Sequence, residues 1–137
     1  MKHTFEQKVY YGDTDAFGVV WHATYLRWLE VGRMELMANL GYDLTRMQSE
    51  DIVMTLPDLH VRYKSSAMLN DTIVIETAIS KVSDLSVTFI QTIKNKDTGK
   101  ICIQAEVQNV AINNNHKLYR KLPEDLKKAF ESAIEQN

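Results

Sequence analysis

The sequence predicts an α+β fold, in which one antiparallel β-sheet wraps around a single long central α-helix and a short C-terminal helix follows. One observation is a helical pattern near the N-terminus, and a second is the β-type alternation that follows it. The third is size and composition, since 137 residues with 45% hydrophobic and 25% charged residues suffice for one buried core. We therefore expect a single domain over residues 1–137.

The first two elements are a strand and the long helix. Thr4 to Tyr11 is rich in β-formers, and turn-forming residues follow at positions 12–15. From about Ala23 to Leu40, apolar residues recur at spacings of three and four, and Gly41 marks the end of the helix. The periodic positions are Tyr25, Trp28, Leu29, Gly32, Leu36 and Leu40.

After Gly41 we expect only strands until the last helix. Four segments have β-type character, approximately at residues 58–66, 73–79, 85–93 and 101–110. The apolar alternation slips near Asn109, which predicts a β-bulge there. Pro123 precedes apolar residues at spacing four, which predicts the C-terminal helix. A sheet wrapped around one such helix is typical of a hotdog-like shape, and its unpaired edges favour an oligomer.

Charge and composition exclude several classes of function. Lys and Arg total 16 against 18 Asp and Glu, so the chain lacks the basic surface that nucleic acids or anionic membranes require. The longest apolar run, Ala16 to Trp21, is too short for stable membrane insertion. The single cysteine, Cys102, has no internal disulfide partner, and the N-terminus has no signal-peptide pattern. We expect a cytoplasmic protein.

Most catalytic and cofactor motifs are missing from the sequence. The five glycines never approach phosphate-loop spacing, and the four histidines lack the spacing of metal ligands. We therefore expect no cofactor and no metal. Cys102 lies in the middle of a predicted strand, which favours a small core residue over a nucleophile.

The segment from Tyr10 to Arg33 carries the best candidate chemistry. Asp13 and Asp15 lie at the end of the first strand, and His22 lies near the first turn of the long helix. Unpaired N–H groups at a helix N-terminus stabilise an oxyanion, and a carboxylate can attack a reactive carbonyl or activate water. These parts suit acyl transfer to water from an ester or thioester. An aspartate before a helix is also a common cap, and the residues alone leave both interpretations open.

The same segment resembles the signature of the 4-hydroxybenzoyl-CoA thioesterase family of hotdog proteins, most closely the YbgC-like acyl-CoA thioesterases. A later stretch, residues 61–71, resembles the second-strand region of that family. The matching positions of the signature are Tyr11, Asp13, Thr14, Asp15, Gly18, Val19, Val20, His22, Tyr25, Leu26, Trp28, Glu30 and Arg33.

The resemblance implies hydrolysis of an acyl-CoA to a free acid and CoA. Asp15 takes the position of the catalytic carboxylate, as nucleophile or general base, and the backbone N–H of His22 polarises the thioester carbonyl. The His22 side chain is usual in the YbgC-like branch and favours aliphatic acyl groups. Asp13 is expected to hold the loop. Two residues depart from the family pattern: Gly12, where an acid is common, and Phe17, which narrows the acyl pocket.

The resemblance also implies dimers, often paired into homotetramers, with active sites at the dimer interface. We expect substrate contacts from Val20, Trp21 and Tyr25. Arg62 and Lys64 could meet the CoA phosphates, although a solvated strand edge is the favoured explanation for them. Two other functions stay open: a non-catalytic hotdog module that binds acyl groups or a partner protein, and a thioesterase dedicated to an aromatic acyl-CoA.

Overall fold

The computed structural model describes residues 1–135, and five antiparallel strands form its single sheet in the order β1-β3-β4-β5-β2. The strands are β1 (Lys2–Lys8), β2 (Val53–Tyr63), β3 (Thr72–Val82), β4 (Ser86–Asn95) and β5 (Ile101–Ile112). The helices are α1 (Thr24–Asn39), α2 (Leu44–Ser49) and α3 (Glu124–Glu135). The predicted α+β architecture, with its long helix and short C-terminal helix, is confirmed.

Helix α1 lies against one face of the sheet and is largely buried there. Its buried residues include Trp28, Leu29 and Leu36, which pack with Ile75 and Ile103 of the sheet in one hydrophobic core. Gly32 is required at the closest approach, because a Cβ at this position would lie 2.5 Å from Thr77 Oγ1. The helix therefore sits close to β3, where any larger residue would push it away.

A buried polar cluster lies beneath α1, next to Gly32. Gln91 Nε2 donates to the carbonyl of Leu29 at 2.8 Å and to Thr77 Oγ1 at 2.9 Å. Gln91 Oε1 accepts from Arg33 Nη1 at 2.9 Å. Both the amide nitrogen and the amide oxygen of Gln91 are thus engaged, which offsets the cost of burying an amide in the core.

Helix α3 covers the same face of the sheet as α1. Phe130 of α3 meets Phe89 of β4 edge-on, with ring centroids 6.1 Å apart, and Phe89 shares the inner face with Gln91. The N-terminal ammonium of Met1 donates to the carbonyl of Ala133 at 2.8 Å. The opposite face of β4, β5 and β2 stays open to solvent in the single chain.

Several element boundaries differ from the predicted ones. β1 ends at Lys8, and a 3₁₀ turn over Tyr11–Asp13 replaces the predicted end of the strand. The segment after Gly41, predicted to hold only strands, contains α2, whose N-cap Asp43 accepts from the backbone N–H of Arg46 at 2.8 Å. β2 also begins earlier than predicted, at Val53. Helix α2 has only six residues, which is too short for a clear apolar periodicity, and its start is determined by the Asp43 cap.

A β-bulge lies near Asn109, as predicted, but its extra residue is on β2 and not on β5. The alternation of β5 continues through this residue, because Asn109 points inward and its Nδ2 donates to the carbonyl of Thr55 at 2.7 Å. The irregularity lies on the partner strand β2, between Thr55 and Asp58. A buried polar residue, and not an extra residue in β5, interrupts the apolar pattern.

Candidate active site

The Asp15 loop is held in shape by its own backbone. The N–H of Asp15 donates to the carbonyl of Val19 at 2.9 Å, and the N–H of Gly18 donates to the carbonyl of Asp15 at 3.1 Å. Gly18 has φ +78°, a conformation that favours glycine. Asp15 Oδ1 accepts from the N–H of Phe17 at 2.8 Å, whereas Oδ2 accepts nothing from residues 1–135. One carboxylate oxygen is therefore anchored, and the other is available.

Asp13 ties this loop to the start of α1. Its Oδ2 accepts from the N–H of Tyr10 at 2.9 Å. Its carbonyl accepts from the N–H of Trp21 at 3.0 Å and from Thr24 Oγ1 at 3.2 Å. The Asp13 side chain thus binds the backbone that precedes it, and its carbonyl binds the turn that leads into α1.

The turn before α1 leaves two backbone donors unused. The N–H of Thr24 donates to the carbonyl of Trp21 at 2.9 Å. The N–H groups of His22 and Ala23 donate no hydrogen bond to any residue that the structure describes. Because unpaired N–H groups at the start of a helix carry partial positive charge, they can donate hydrogen bonds to a ligand oxygen and stabilise negative charge that develops on it.

Two tyrosines connect this turn to β2 and to the loop that follows it. Tyr63 donates its hydroxyl to the carbonyl of His22 at 2.8 Å, and the N–H of Ala67 donates to the hydroxyl oxygen of Tyr25 at 2.9 Å. Their rings meet edge-on with centroids 5.9 Å apart. Burial raises the pKa of both Tyr25 and Tyr63, so both hydroxyls stay protonated at neutral pH.

Asp15, His22 and the two tyrosines line a cleft of about 350 Å³. It brings together five residues predicted for the site: Asp15, Val20, His22, Tyr25 and Lys64. Sequence reasoning missed the other lining residues, which are Val19, Tyr63, Ser65 and Ser66. Tyr63 lies within the family-like stretch at residues 61–71, but its place in a strand indicates only sheet packing.

The structure places two predicted residues outside this cleft. Trp21 is half exposed, and its ring stands edge-on to His22 with centroids 5.3 Å apart. Arg62 lies on the outer face of the sheet, because Val61 and Tyr63 on either side of it face α1. There it lines a separate groove of about 480 Å³ together with His60 and Glu106.

Other candidate chemistry is weak in the part of the chain described. Cys102 is buried, and burial raises the pKa of its thiol, which disfavours the reactive thiolate. Among the side chains of residues 1–134, no three His, Cys, Asp or Glu residues lie close enough together to hold a metal ion. None of the helices within residues 1–135 is long and apolar enough to cross a membrane.

The cleft thus combines an available carboxylate oxygen with unpaired backbone donors, the two parts needed to open a reactive carbonyl. Residues 9–130 match the family model described as "Thioesterase-like superfamily". The chain belongs to that superfamily. Its predicted identity as a thioester hydrolase of this family is confirmed, and its topology is the hotdog fold.

Individual proteins that are similar to this chain are named as thioester hydrolases. The acyl-CoA thioester hydrolase YbgC of Escherichia coli O6:H1 is 31% identical over 123 residues, which are 90% of this chain and 91% of the relative. The solved structure of a DHNA-CoA thioesterase from Staphylococcus aureus is 25% identical with a TM-score of 0.89, covering 99% of this chain and 93% of that one. The Synechocystis protein Slr0204, a 1,4-dihydroxy-2-naphthoyl-CoA thioesterase, shares the fold at 20% identity, a TM-score of 0.85 and 98% coverage of both chains.

Proposed function

We propose that this protein hydrolyses an acyl-CoA thioester to a free acid and CoA, with Asp15 as the catalytic carboxylate. One observation carries the proposal: Asp15, whose Oδ2 is free, and His22, whose backbone N–H is unpaired, line the same cleft. A thioester carbonyl bound there would direct its oxygen to the unpaired N–H groups before α1. The developing oxyanion would then be stabilised by donors that need no reorganisation.

Two routes lead from this arrangement to the products. As a nucleophile, Asp15 attacks the carbonyl carbon, the C–S bond breaks, CoA leaves as a thiol after protonation by water, and water then hydrolyses the mixed anhydride. As a general base, Asp15 takes a proton from water while that water attacks the carbonyl, and the proton then passes to the departing sulfur. A single turnover in ¹⁸O-water that gives an unlabelled acid and puts the label in the Asp15 carboxylate identifies the nucleophilic route, with water attacking the Asp15 carbonyl of the anhydride. Attack of water at the acyl carbonyl labels the acid in both routes, and trapping of the anhydride with hydroxylamine then separates them.

Lys64 is proposed to bind a phosphate of CoA at the cleft. Among the described residues that line the cleft, it alone carries an ammonium group, which can pair with a phosphate. Lys64→Ala should raise KM for acyl-CoA about tenfold. It should leave KM for the matching N-acetylcysteamine thioester, which carries no phosphate, unchanged. Arg62→Ala tests the other predicted cation, and an equal rise in KM there would extend the CoA site to the outer groove.

The acyl group is proposed to lie against Val20 and Tyr25, near the exposed rings of Trp21 and Phe17. Phe17 is 87% exposed beside the Asp15 loop, where a second chain or the acyl group could cover it. An aliphatic acyl group is favoured by His22, while an aromatic one, as in the names of the two solved relatives, is the alternative. A panel of thioesters distinguishes the two substrate classes.

A homodimer with its active sites near the interface is also proposed. Within residues 1–135, β2 pairs only with β5, so eleven residues of its other edge are open for a second strand. Two such edges related by a twofold axis can pair and extend the sheet. Sedimentation should give twice 15.8 kDa, or four times this mass if dimers pair into a homotetramer. A species of 15.8 kDa at micromolar concentration would contradict the proposal.

Thiol release from a panel of acyl-CoAs tests the proposed activity. The panel contains short, medium and long aliphatic acyl groups together with hydroxybenzoyl and naphthoyl groups. We expect turnover of at least one member, and the preferred acyl group defines the substrate class. Binding of acyl-CoA by calorimetry without any thiol release would instead support a non-catalytic module.

A further inference from the structure

One contact in the cleft is not explained by substrate binding or by the carboxylate. The Tyr63 hydroxyl crosses from the end of β2 to the turn before α1 and donates to the carbonyl of His22 at 2.8 Å. The ring is half exposed, so packing alone gives little reason for this orientation. Its edge is fixed by Tyr25, which is held in turn by the N–H of Ala67.

The turn has few other constraints at this point. Ala23 is the N-cap of α1, and no side chain among the described residues caps this end of the helix. The bonds from Trp21 to Asp13 and from Thr24 to Trp21 hold the flanks of the turn. The peptide between His22 and Ala23 is held by Tyr63, through its carbonyl.

This peptide group carries one of the two unpaired backbone donors of the turn. Its carbonyl belongs to His22 and its N–H to Ala23, whereas the N–H of His22 belongs to the preceding peptide, which meets this one at the Cα atom of His22. A hydrogen bond accepted at the carbonyl also polarises the peptide and strengthens its N–H as a donor. The effect on a reaction is largest where charge develops, that is, in the transition state.

We propose that Tyr63 is a positioning residue, which holds the His22–Ala23 peptide so that the N–H of Ala23 is directed, beside that of His22, to the thioester carbonyl. The inference rests on the proposed function, because it assigns the role of these donors in that reaction. It also separates Tyr63 from Tyr25, whose hydroxyl accepts from a loop amide and touches no donor of the turn. Because burial raises the pKa of Tyr63, the hydroxyl stays a donor over the working pH range.

The test compares Tyr63→Phe with a matched control variant at Tyr119, which follows β5 in the chain. Tyr119 also donates its hydroxyl to a backbone carbonyl, that of Asp51, at 2.7 Å. Tyr119→Phe removes the same kind of bond far from the cleft, and both variants keep their rings. We expect kcat of Tyr63→Phe to fall about 3- to 10-fold with KM within about twofold of wild type. Tyr119→Phe should keep both kcat and KM within about twofold.

A second readout follows the peptide itself. The ¹⁵N resonance of Ala23 should shift in Tyr63→Phe relative to wild type, because its peptide loses the hydrogen bond at the carbonyl, while Tyr119→Phe leaves this resonance unchanged. The same measurement works without substrate. It shows whether the hydroxyl orders the turn in solution.

Three results would overturn the inference. Wild-type kcat in Tyr63→Phe would show that the bond has no role in the reaction. A loss of kcat that disappears after correction for the folded fraction would reveal a purely structural role. Absence of turnover by wild type on every thioester would remove the proposed function, and this inference with it, whereas failure of Tyr63→Phe alone to differ leaves the proposed function standing.

Discussion

Two polar regions contact α1, one beneath Gly32 in the middle of the helix and one at the turn before its first residue. They differ in how many of their polar groups form hydrogen bonds. Beneath Gly32, the side chain of Gln91 is 1% exposed, and its oxygen and nitrogen bond to Arg33, Thr77 and the carbonyl of Leu29. Before the helix, the loop carboxylate of Asp15 is only half paired, and nearby backbone donors are unused.

The difference supports the proposed division of roles, in which the buried network provides stability and the cleft provides the chemistry. A fully paired, buried network fixes the helix on the sheet, because losing any partner leaves a polar group without water or protein. A half-paired site at the surface contributes little to stability but can complete its hydrogen bonds with a substrate. The first predictions below each alter one region and leave the other intact, and the last one alters a surface ion pair outside both.

The largest expected effect is on activity. Asp15→Asn should lower kcat by at least about 10²-fold, since it removes the charge of the carboxylate at nearly constant volume. The oxygen of the new amide side chain can still accept from the N–H of Phe17, so the free energy of unfolding should change by less than about 0.5 kcal/mol. Thiol release and urea denaturation measure the two effects.

Asp43→Asn is the matched control for that substitution. Asp43 is also an exposed carboxylate that accepts a backbone N–H at 2.8 Å, but it caps α2 away from the cleft. It should keep kcat within about twofold. A comparable loss of turnover in both variants would show that the effect does not come from the cleft.

The next effect is on stability. Gln91→Leu should lower the free energy of unfolding by about 2–4 kcal/mol, because it removes three hydrogen bonds and leaves Arg33 without its partner in the core. Gln104→Leu, on the exposed outer face of β5, should change it by less than about 0.5 kcal/mol. Equal denaturation midpoints for the two variants would contradict a stabilising role of the buried network.

Gly32→Ala should destabilise the same region by a smaller amount, about 1–2 kcal/mol. The new Cβ would lie 2.5 Å from Thr77 Oγ1, and this clash outweighs the better helix propensity of alanine. Gly12→Ala is the control, since a Cβ there meets nothing within 4 Å. A variant of Gly32 that melts at or above the wild-type temperature would show that α1 can move away from β3 without cost.

The smallest effect belongs to a paired carboxylate at the surface. Asp84 accepts from Lys127 Nζ at 2.7 Å, and this ammonium group lowers the pKa of Asp84 below its ordinary value of 3.8. A lowered pKa means that the stabilisation is complete above pH 3.8 and is lost as pH falls through the folded-state pKa. The Tm difference between wild type and Asp84→Asn should therefore be small at neutral pH and vanish in acid; a difference that grows on acidification would contradict this pairing.

The sequence was most informative where a local pattern has one physical meaning. The periodicity of α1 predicts its length to within a residue at each end, and the spacing from Asp15 to His22 predicts a loop followed by a helix start. Gln91 and Tyr63 could not be assigned, because a strand residue acquires its role from elements far away in sequence. Leu29 lies 62 residues from Gln91, and His22 lies 41 residues from Tyr63. The strand that carries the extra residue of the bulge near Asn109 could not be assigned for the same reason, since the residues that face Asn109 are on β2.

The most direct measurement combines kcat for thiol release with the free energy of unfolding, for Asp15→Asn and Gln91→Leu side by side. If the open cleft carries the chemistry and the buried network carries the stability, Asp15→Asn loses at least about 10²-fold in kcat at wild-type stability. Gln91→Leu then loses about 2–4 kcal/mol of stability while its folded fraction keeps kcat within about threefold. Wild-type turnover by a folded Asp15→Asn variant would contradict this division of roles and the assignment of Asp15.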